Sequence, residues 1–250
     1  MKGQQARSSQ YELKRFKYNS HYWILKFLSG SGRPLRILDV GTAHGYLGEI
    51  LKAQGHSLVG IEQDPAAAER ARSYYDYVHV ANIEDFEFPY CREFDYILFA
   101  DVLEHLRDPG VVLQRSLLTL KPRGEIIVSL PNIANIVIRL SLLAGRFEYG
   151  ERGILDRTHL RFFTLAGVRM LLQEASCRII EVVPTPLPVQ LVFPISESKT
   201  FAPFHEAHYW IVRLWQTMFA YQFVVRAAPE LSPAPVIPLQ IVENQPVPVV

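Results

Sequence analysis

The stretch ILDVGTAHGYLG, residues 37–48, begins as a short apolar run, passes through a loop with two glycines and continues with helical spacing. Gly41 and Gly45 let the backbone turn tightly and approach a ligand closely, because glycine has no Cβ atom. The backbone amides at the start of the following helix face the same ligand. Strand, glycine loop and helix in this order predict a cofactor-binding α/β domain, but the loop alone also fits nucleotide binding.

Apolar runs and amphipathic segments alternate along the chain outward from this stretch. Strands are predicted at residues 35–40, 57–62, 77–81, 94–100, 125–130, 178–183 and 222–226. Helices are predicted at residues 11–28, 46–54, 133–144 and 209–219, and three more begin after Asp64, Asp108 and Thr164, which are good N-cap residues. A turn is predicted at KPRG, residues 121–124. This order predicts a Rossmann-like, mostly parallel sheet with helices on both faces.

The length of 250 residues fits one sizeable domain around a single hydrophobic core. We expect an N-terminal helical segment at residues 1–33 and the α/β domain at residues 34–228. Within that domain, residues 132–162 and 184–218 interrupt the regular alternation and are expected to be inserts that shape a substrate pocket. Residues 229–250 are rich in proline and are expected to be extended or disordered.

Charge and cysteine content disfavour several classes of protein. The formal net charge is +1 and no basic stripe is present, which argues against nucleic-acid binding. Cys91 and Cys177 lack the spacing of a metal site or of a disulfide framework. The N-terminal segment lacks the apolar core of a signal peptide, and no run of about 18 apolar residues predicts a membrane span. We therefore expect a cytoplasmic protein.

Polar residues recur where successive strands end. Glu62 ends the second strand, 21 residues after Gly41, where an acid can accept hydrogen bonds from both ribose hydroxyls of an adenosine-containing cofactor. NIE follows the third strand at residues 82–84, and ADVLEH follows the fourth at residues 100–105. The carboxyl ends of parallel strands lie at one edge of a sheet, so the sequence predicts a ligand site at that edge.

Together these motifs resemble those of class I S-adenosylmethionine-dependent methyltransferases over roughly residues 20–183 and the last strand. DVGTAHG at residues 39–45 is similar to their first motif, FDYIL at 94–98 to their fourth-strand motif, and LKPRGE at 120–125 to the turn before their fifth strand. The resemblance implies seven strands with the last one antiparallel, and S-adenosylmethionine as the cofactor. It also implies cofactor contacts from Asp39, Gly41, Thr42, Ala43, Gly45, Glu62, Gln63, Asn82, Ile83, Ala100 and Asp101.

Two positions depart from the family pattern. Ala43 stands where the family usually has glycine, and Asn82 stands where it usually has an aspartate that meets the adenine amino group. The amide oxygen of Asn82 still accepts a hydrogen bond, but it carries no charge. Both departures bear on the affinity for the cofactor more than on its identity.

A narrower resemblance links the chain to bacterial ubiquinone-biosynthesis O-methyltransferases and MetW-like proteins. It rests on LEHLRDP at residues 103–109, LPNIANIVIRLSLLAGRF at 130–147 and GILDRTHLRFFT at 153–164. The resemblance implies O-methylation of a small molecule or of a glycan precursor.

His159 is the first candidate for a general base, because it lies in a polar loop after the fifth strand and histidine titrates near neutral pH. The alternative is that His159 pairs with a neighbouring acid and only holds the loop. His105 is the second candidate, with orientation of the Asp101 loop as its alternative role. Arg157 and Arg161 are candidates for binding an anionic group of the substrate, with surface ion pairs as the alternative.

No metal is expected, because Asp101 has no second and third carboxylate at a suitable spacing. A nicotinamide-dependent oxidoreductase is a rival interpretation, but Ala43 interrupts the G-x-G-x-x-G fingerprint that would begin at Gly41. A non-catalytic partner subunit with the same fold is a second rival, since a fold alone does not establish activity. The aromatic segment at residues 209–221 is interpreted as core packing, with a lid or a membrane-surface helix as the alternatives.

Overall fold

The computed structural model describes residues 17–188 and 202–230, which form a seven-stranded sheet with helices on both faces. The strands, in chain order, are β1 (Arg36–Val40), β2 (Ser57–Glu62), β3 (Tyr77–Val80), β4 (Phe94–Ala100), β5 (Leu120–Pro131), β6 (Cys177–Thr185) and β7 (Gln222–Pro229). Their order across the sheet is β3-β2-β1-β4-β5-β7-β6. Only β7 runs antiparallel to its neighbours, β5 and β6, so the predicted Rossmann-like sheet with an antiparallel last strand is confirmed.

Eight α-helices are found within the described residues. They are α1 (Ser20–Ser29), α2 (Tyr46–Ala53), α3 (Pro65–Ala71), α4 (Pro109–Leu117), α5 (Ile136–Leu143), α6 (Leu165–Glu174), α7 (Ala202–Leu214) and α8 (Gln216–Phe219). The three predicted N-caps are confirmed, because the side chains of Asp64, Asp108 and Thr164 each accept a backbone hydrogen bond from the first turn of α3, α4 and α6.

Strand β5 is longer than predicted and includes residues 121–124, which were expected to form a turn. Phe94 pairs with Leu120 and Tyr96 pairs with Glu125, so β5 contains extra residues relative to β4 between these two pairs. Such a bulge keeps the chain within the strand despite a proline and a glycine, residues that usually favour a turn.

The chain also differs from the sequence prediction at several helix and strand ends. Helix α1 begins at Ser20 with Asn19 as its N-cap, and residues 11–16 of the predicted helix lie outside the described residues. The helix expected at 209–219 is two helices that meet at Trp215. Strand β7 continues through Pro229, and residues 231–250 of the predicted tail lie outside the described residues.

Both faces of the sheet are covered by other elements, so a ligand can reach the sheet only at an edge. Phe99 and Val128 pack into one apolar cluster, while Leu98 and Ile127 pack into the cluster on the opposite face. Both faces are therefore covered, and the carboxyl ends of the parallel strands offer the open crevice that such sheets use for ligands.

Candidate active site

The glycine loop between β1 and α2 brings its backbone close to the chain that follows β4. Gly41 has a φ of +77°, and a Cβ atom there would lie 2.6 Å from Cγ2 of Val102. Ala43 also lies in the left-handed region, with a φ of +47°, where a Cβ atom costs about 1 kcal/mol. The loop therefore keeps a conformation that favours glycine even where the sequence has alanine.

Glu62 fastens this loop to the end of β2. Its Oε2 accepts a hydrogen bond from the backbone N–H of Ala43 at 2.8 Å, and its Oε1 accepts one from the N–H of Asp64 at 2.9 Å. The hydrogen bond to Ala43 supplies a partner that helps to hold the left-handed turn. Each carboxylate oxygen can accept more than one hydrogen bond, so Glu62 retains capacity for a ligand hydroxyl.

Asp39 lies beneath the loop as a buried acid. The phenolic O–H of Tyr75 donates to its Oδ2 at 2.5 Å, while Oδ1 has no hydrogen-bond partner among the described residues. Burial raises the pKa of Asp39 from 3.8 to about 7, against the opposing effect of the Tyr75 hydrogen bond. The site therefore contains a buried oxygen that is ready to accept a hydrogen bond from a ligand.

The ends of β3 and β4 are held differently. Asn82 is exposed and its amide oxygen accepts a hydrogen bond from the N–H of Glu84 at 3.1 Å, which closes a local turn. Asp101 has a φ of +60°, and its Oδ1 accepts hydrogen bonds from Ser129 on β5 and from Gln222 on β7. These two buried partners fix the conformation of the chain as it leaves β4.

A one-turn 3₁₀ helix (Leu103–His105) follows Asp101 and brings three polar side chains together. The carboxylate of Glu104 is buried, and its Oε1 lies 4.0 Å from Nε2 of His159. The rings of His105 and His159 are 4.8 Å apart between centroids. The backbone carbonyl of Glu104 accepts hydrogen bonds from Leu160 and Arg161, which hold the loop of His159 against the end of β4.

His159 is arranged to accept a proton at Nε2. Its Nδ1 lies 3.1 Å from the carbonyl oxygen of Ile154, a contact that requires the N–H to be on Nδ1 in the neutral ring. Burial, with a smaller effect from His105, lowers the pKa of His159, so the ring is neutral near pH 7. The Nε2 lone pair then lies on the side of Glu104, whose carboxylate would stabilise the protonated ring.

A family model for the methyltransferase domain matches residues 11–182 of the chain. The chain belongs to the methyltransferase domain family. This match and the curated relatives identify the domain as a class I S-adenosylmethionine-dependent methyltransferase domain, and the solved structures share its fold, in agreement with the resemblance of its motifs.

Two curated relatives illustrate the similarity. A ubiquinone biosynthesis O-methyltransferase of Bradyrhizobium diazoefficiens is 35% identical over 131 residues, or 50% of each chain. One from Xylella fastidiosa is 32% identical over 144 residues, 55% of this chain and 56% of its own. The chain therefore spans about half the length of these curated relatives.

A solved structure shares the fold. The 1,6-didemethyltoxoflavin-N1-methyltransferase of Burkholderia thailandensis, with bound S-adenosylhomocysteine, has a TM-score of 0.55 and 18% identity, covering 86% of this chain and 80% of its own. At this identity, the likeness concerns the fold alone.

S-adenosylmethionine fits the chemistry of the loop. The buried Oδ1 of Asp39 suits the ammonium group of the methionyl part, and the carboxylate of Glu62 suits the ribose hydroxyls. The other nine predicted contact residues lie in the loop or at the ends of β2, β3 and β4. The individual roles of these residues stay predictions.

The two arginines proposed for substrate binding have protein partners. Arg157 forms an ion pair with Glu151, and both side chains are largely exposed. The guanidinium of Arg161 donates to the backbone carbonyl of Arg107, and one of these hydrogen bonds is 3.1 Å long. Both contacts hold the loop that carries His159, so a role in substrate binding stays a prediction.

The sequence prediction of no metal rested on carboxylates alone and did not include histidines. One ligand atom each from Glu104, His105 and His159 lies within 4.8 Å of the others, a set that could hold a cation. The absence of a metal therefore stays a prediction, and treatment with a chelator tests it.

Two residues of the site were not assigned by the sequence. Tyr75 binds Asp39 from 36 positions away, and no local pattern marks it. Glu104 stood within the LEHL segment, and an acid directly before a candidate histidine was a signal that could have identified it.

Asp39 makes stability depend on pH in a testable way. Because its pKa is raised from 3.8 to about 7, the unfolded chain releases this proton at lower pH than the folded chain. The contribution of Asp39 to the free energy of unfolding therefore falls by about 4 kcal/mol as pH rises from about 4 to about 7. We expect Asp39→Asn to remove this fall, measured by urea unfolding across that range.

Tyr75→Phe is the matched variant for this measurement. It keeps the ring and removes the O–H group that lowers the pKa of Asp39, so the fall in stability should extend to higher pH. Parallel pH dependences for the wild type and Asp39→Asn would contradict the assignment.

Proposed function

We propose that this methyltransferase transfers the methyl group of S-adenosylmethionine to a hydroxyl group of a small-molecule acceptor, with His159 as the general base. The observation that carries the proposal is that His159, whose pKa is lowered by burial, lies 4.0 Å from the buried acid Glu104, which follows β4. Val102, two residues before Glu104, lies against Gly41 of the cofactor loop. The O-methyltransferase names of the curated relatives support a hydroxyl acceptor.

The chemistry needs alignment and one proton acceptor. S-adenosylmethionine, when bound, supplies an electrophilic methyl group on sulfur. Nε2 of His159 would accept the proton of the acceptor hydroxyl. The acceptor oxygen would form a bond to the methyl carbon. The carbon–sulfur bond would break, and its electron pair would stay on sulfur. Glu104 then stabilises the charged imidazole through their 4.0 Å separation. General base catalysis of this kind contributes about 10²- to 10⁴-fold to a rate.

The acceptor pocket is assigned to the insert at residues 132–162, which carries His159. Arg157 and Arg161 would favour an acceptor with a carboxylate or phosphate, if each exchanges its present partner for the substrate. A glycan precursor with a free hydroxyl is the second acceptor class, and the cytoplasm is the proposed location. None of the helices in residues 17–188 and 202–230 has both the length and the apolar composition that crossing a membrane requires.

The proposal is tested with methyl-labelled S-adenosylmethionine and matched acceptors. We would compare phenolic acids, their amino counterparts of the same shape, and sugar nucleotides. Label should pass to the hydroxyl compounds and not to the amines. Transfer to amines alone would contradict the proposal. Tight binding of S-adenosylhomocysteine without any transfer would favour the non-catalytic partner subunit instead.

A further inference from the structure

Helix α5 exposes an unusual amount of apolar surface. Its sequence is IVIRLSLL, and among its eight residues only Ile138 is buried. Leu143 is 85% exposed, and Val137, Leu140 and Leu142 are each at least half exposed. The loop that follows adds exposed rings from Phe147 and Tyr149. A run of exposed leucines on a short helix marks a contact site rather than ordinary surface scatter.

Helix α7 and the residue that follows it, Trp215, carry a second exposed apolar stripe. Tyr209 and Val212 of α7 are buried, so the opposite face of the helix points to solvent. That face presents Phe204, Trp210, Ile211, Leu214 and Trp215, and Leu214 is 86% exposed. The sequence interpretation of residues 209–221 as core packing is therefore wrong for Trp210, Ile211, Leu214 and Trp215, whereas Tyr209 and Val212 do pack in the core.

The start of α5 is joined to the end of α8, the short helix that follows α7. The side-chain amide of Asn135, the N-cap of α5, donates to the carbonyl oxygens of Phe219 and Ala220 at the end of α8. Asn132 donates to the same carbonyl of Ala220 at 2.9 Å. These contacts hold the start of α5 next to the end of α8, four residues after β5 ends, so α5 borders the edge of the sheet that holds the active site.

The charge of this region is also distinct. Residues 132–162, which contain α5, have five arginines against the three acids Glu148, Glu151 and Asp156. The rest of the chain has one more acid than base. Arg139 and Arg146 are exposed within and directly after α5, and Arg213 lies over the ring of Trp210 at 5.3 Å. Basic residues interleaved with leucine and tryptophan are the composition of helices that lie at the surface of anionic membranes.

We propose that α5 and the C-terminal half of α7 with Trp215 form a docking surface for an anionic lipid bilayer. The apolar side chains enter the boundary between headgroups and acyl chains, and the arginines extend toward lipid phosphates. Docking places the active-site edge against the bilayer, where acceptors dissolved in the membrane can reach it. A second copy of the chain is a poorer occupant, because a two-fold contact would place the excess arginines of one copy opposite those of the other.

The test is co-sedimentation of the full chain with vesicles. Vesicles of phosphatidylcholine alone are compared with vesicles that contain equal parts of phosphatidylglycerol. We expect binding to the anionic vesicles that is at least tenfold stronger and that weakens as salt is added. The double variant Leu140→Ser/Leu143→Ser should lower the partition coefficient at least tenfold without changing the affinity for S-adenosylhomocysteine.

Leu118→Ser is the matched control, because Leu118 is 72% exposed but lies at the end of α4, next to Arg92 and away from α5. This control should bind vesicles like the wild type. Equal loss in the control, equal binding to both kinds of vesicle, or no binding would overturn the proposal. A dimer in solution that the double variant dissociates, with no vesicle binding, would assign the surface to a second copy instead.

Discussion

Replacing Glu62 by alanine is expected to weaken the binding of S-adenosylhomocysteine by about 100-fold. Such a loss corresponds to about 3 kcal/mol. This is the free energy of a hydrogen bond to a charged group plus the cost of a loop that is no longer held in its binding conformation. The variant removes the acceptor of the Ala43 and Asp64 amides as well as the predicted acceptor for ribose. The affinity is measured by equilibrium dialysis of the folded variant.

Two variants control this experiment. Glu69→Ala removes an exposed acid on α3 that pairs with Arg72, so it changes the net charge equally and should leave the affinity within about twofold. Glu62→Gln keeps one carbonyl acceptor without the charge and should fall between the two. Unchanged affinity in Glu62→Ala would mean that this acid serves the loop alone.

Replacing His159 by alanine is expected to lower turnover by about 10²- to 10⁴-fold while cofactor affinity stays constant. The kcat/KM of the wild type should fall as the pH falls through the pKa of His159, because the protonated ring cannot accept a proton. Since burial lowers this pKa, the fall should occur below pH 6.5, the ordinary pKa of histidine being about 6.5. The variant should lack this acidic limb. A merely structural role for His159 would lower the melting temperature and leave the pH profile unchanged.

His79→Ala is the matched control for His159, because His79 is another partly buried histidine, lies on β3 and hydrogen-bonds Tyr90. Its turnover and acidic limb should match those of the wild type. Treatment of the wild type with a chelator should also leave turnover unchanged. Loss of activity that added Mg²⁺ or Zn²⁺ restores would instead assign Glu104, His105 and His159 to a cation.

Local chemistry explains why much of the fold was predictable. In the stretch from Asp39 to Gly45, the glycines themselves determine where the chain turns. The N-caps Asp64 and Asp108 accept hydrogen bonds from backbone amides only a few residues away. Alternating strands and helices then leave few arrangements for a mostly parallel sheet. The boundaries of β2 and β4 were predicted to the residue for the same reason.

The parts that the sequence did not predict depend on contacts between distant residues. The proximity of Glu104 to His159 arises only when the loop after α5 folds back toward the end of β4. The hydrogen bond from Tyr75 to Asp39 joins the segment before β3 to β1. Helix α7 has apolar residues at the spacing of a core helix. The spacing alone does not predict which of its apolar faces packs against the rest of the domain. That choice is made by the packing of neighbouring elements.

S-adenosylmethionine is expected to bind this chain at the loop of residues 41–45. Equilibrium dialysis of the full chain with isotope-labelled S-adenosylmethionine, competed by S-adenosylhomocysteine or by NAD, tests it most directly. We predict saturable binding of one molecule per chain, displaced by S-adenosylhomocysteine and not by NAD. No saturable binding, or displacement by NAD alone, would contradict it.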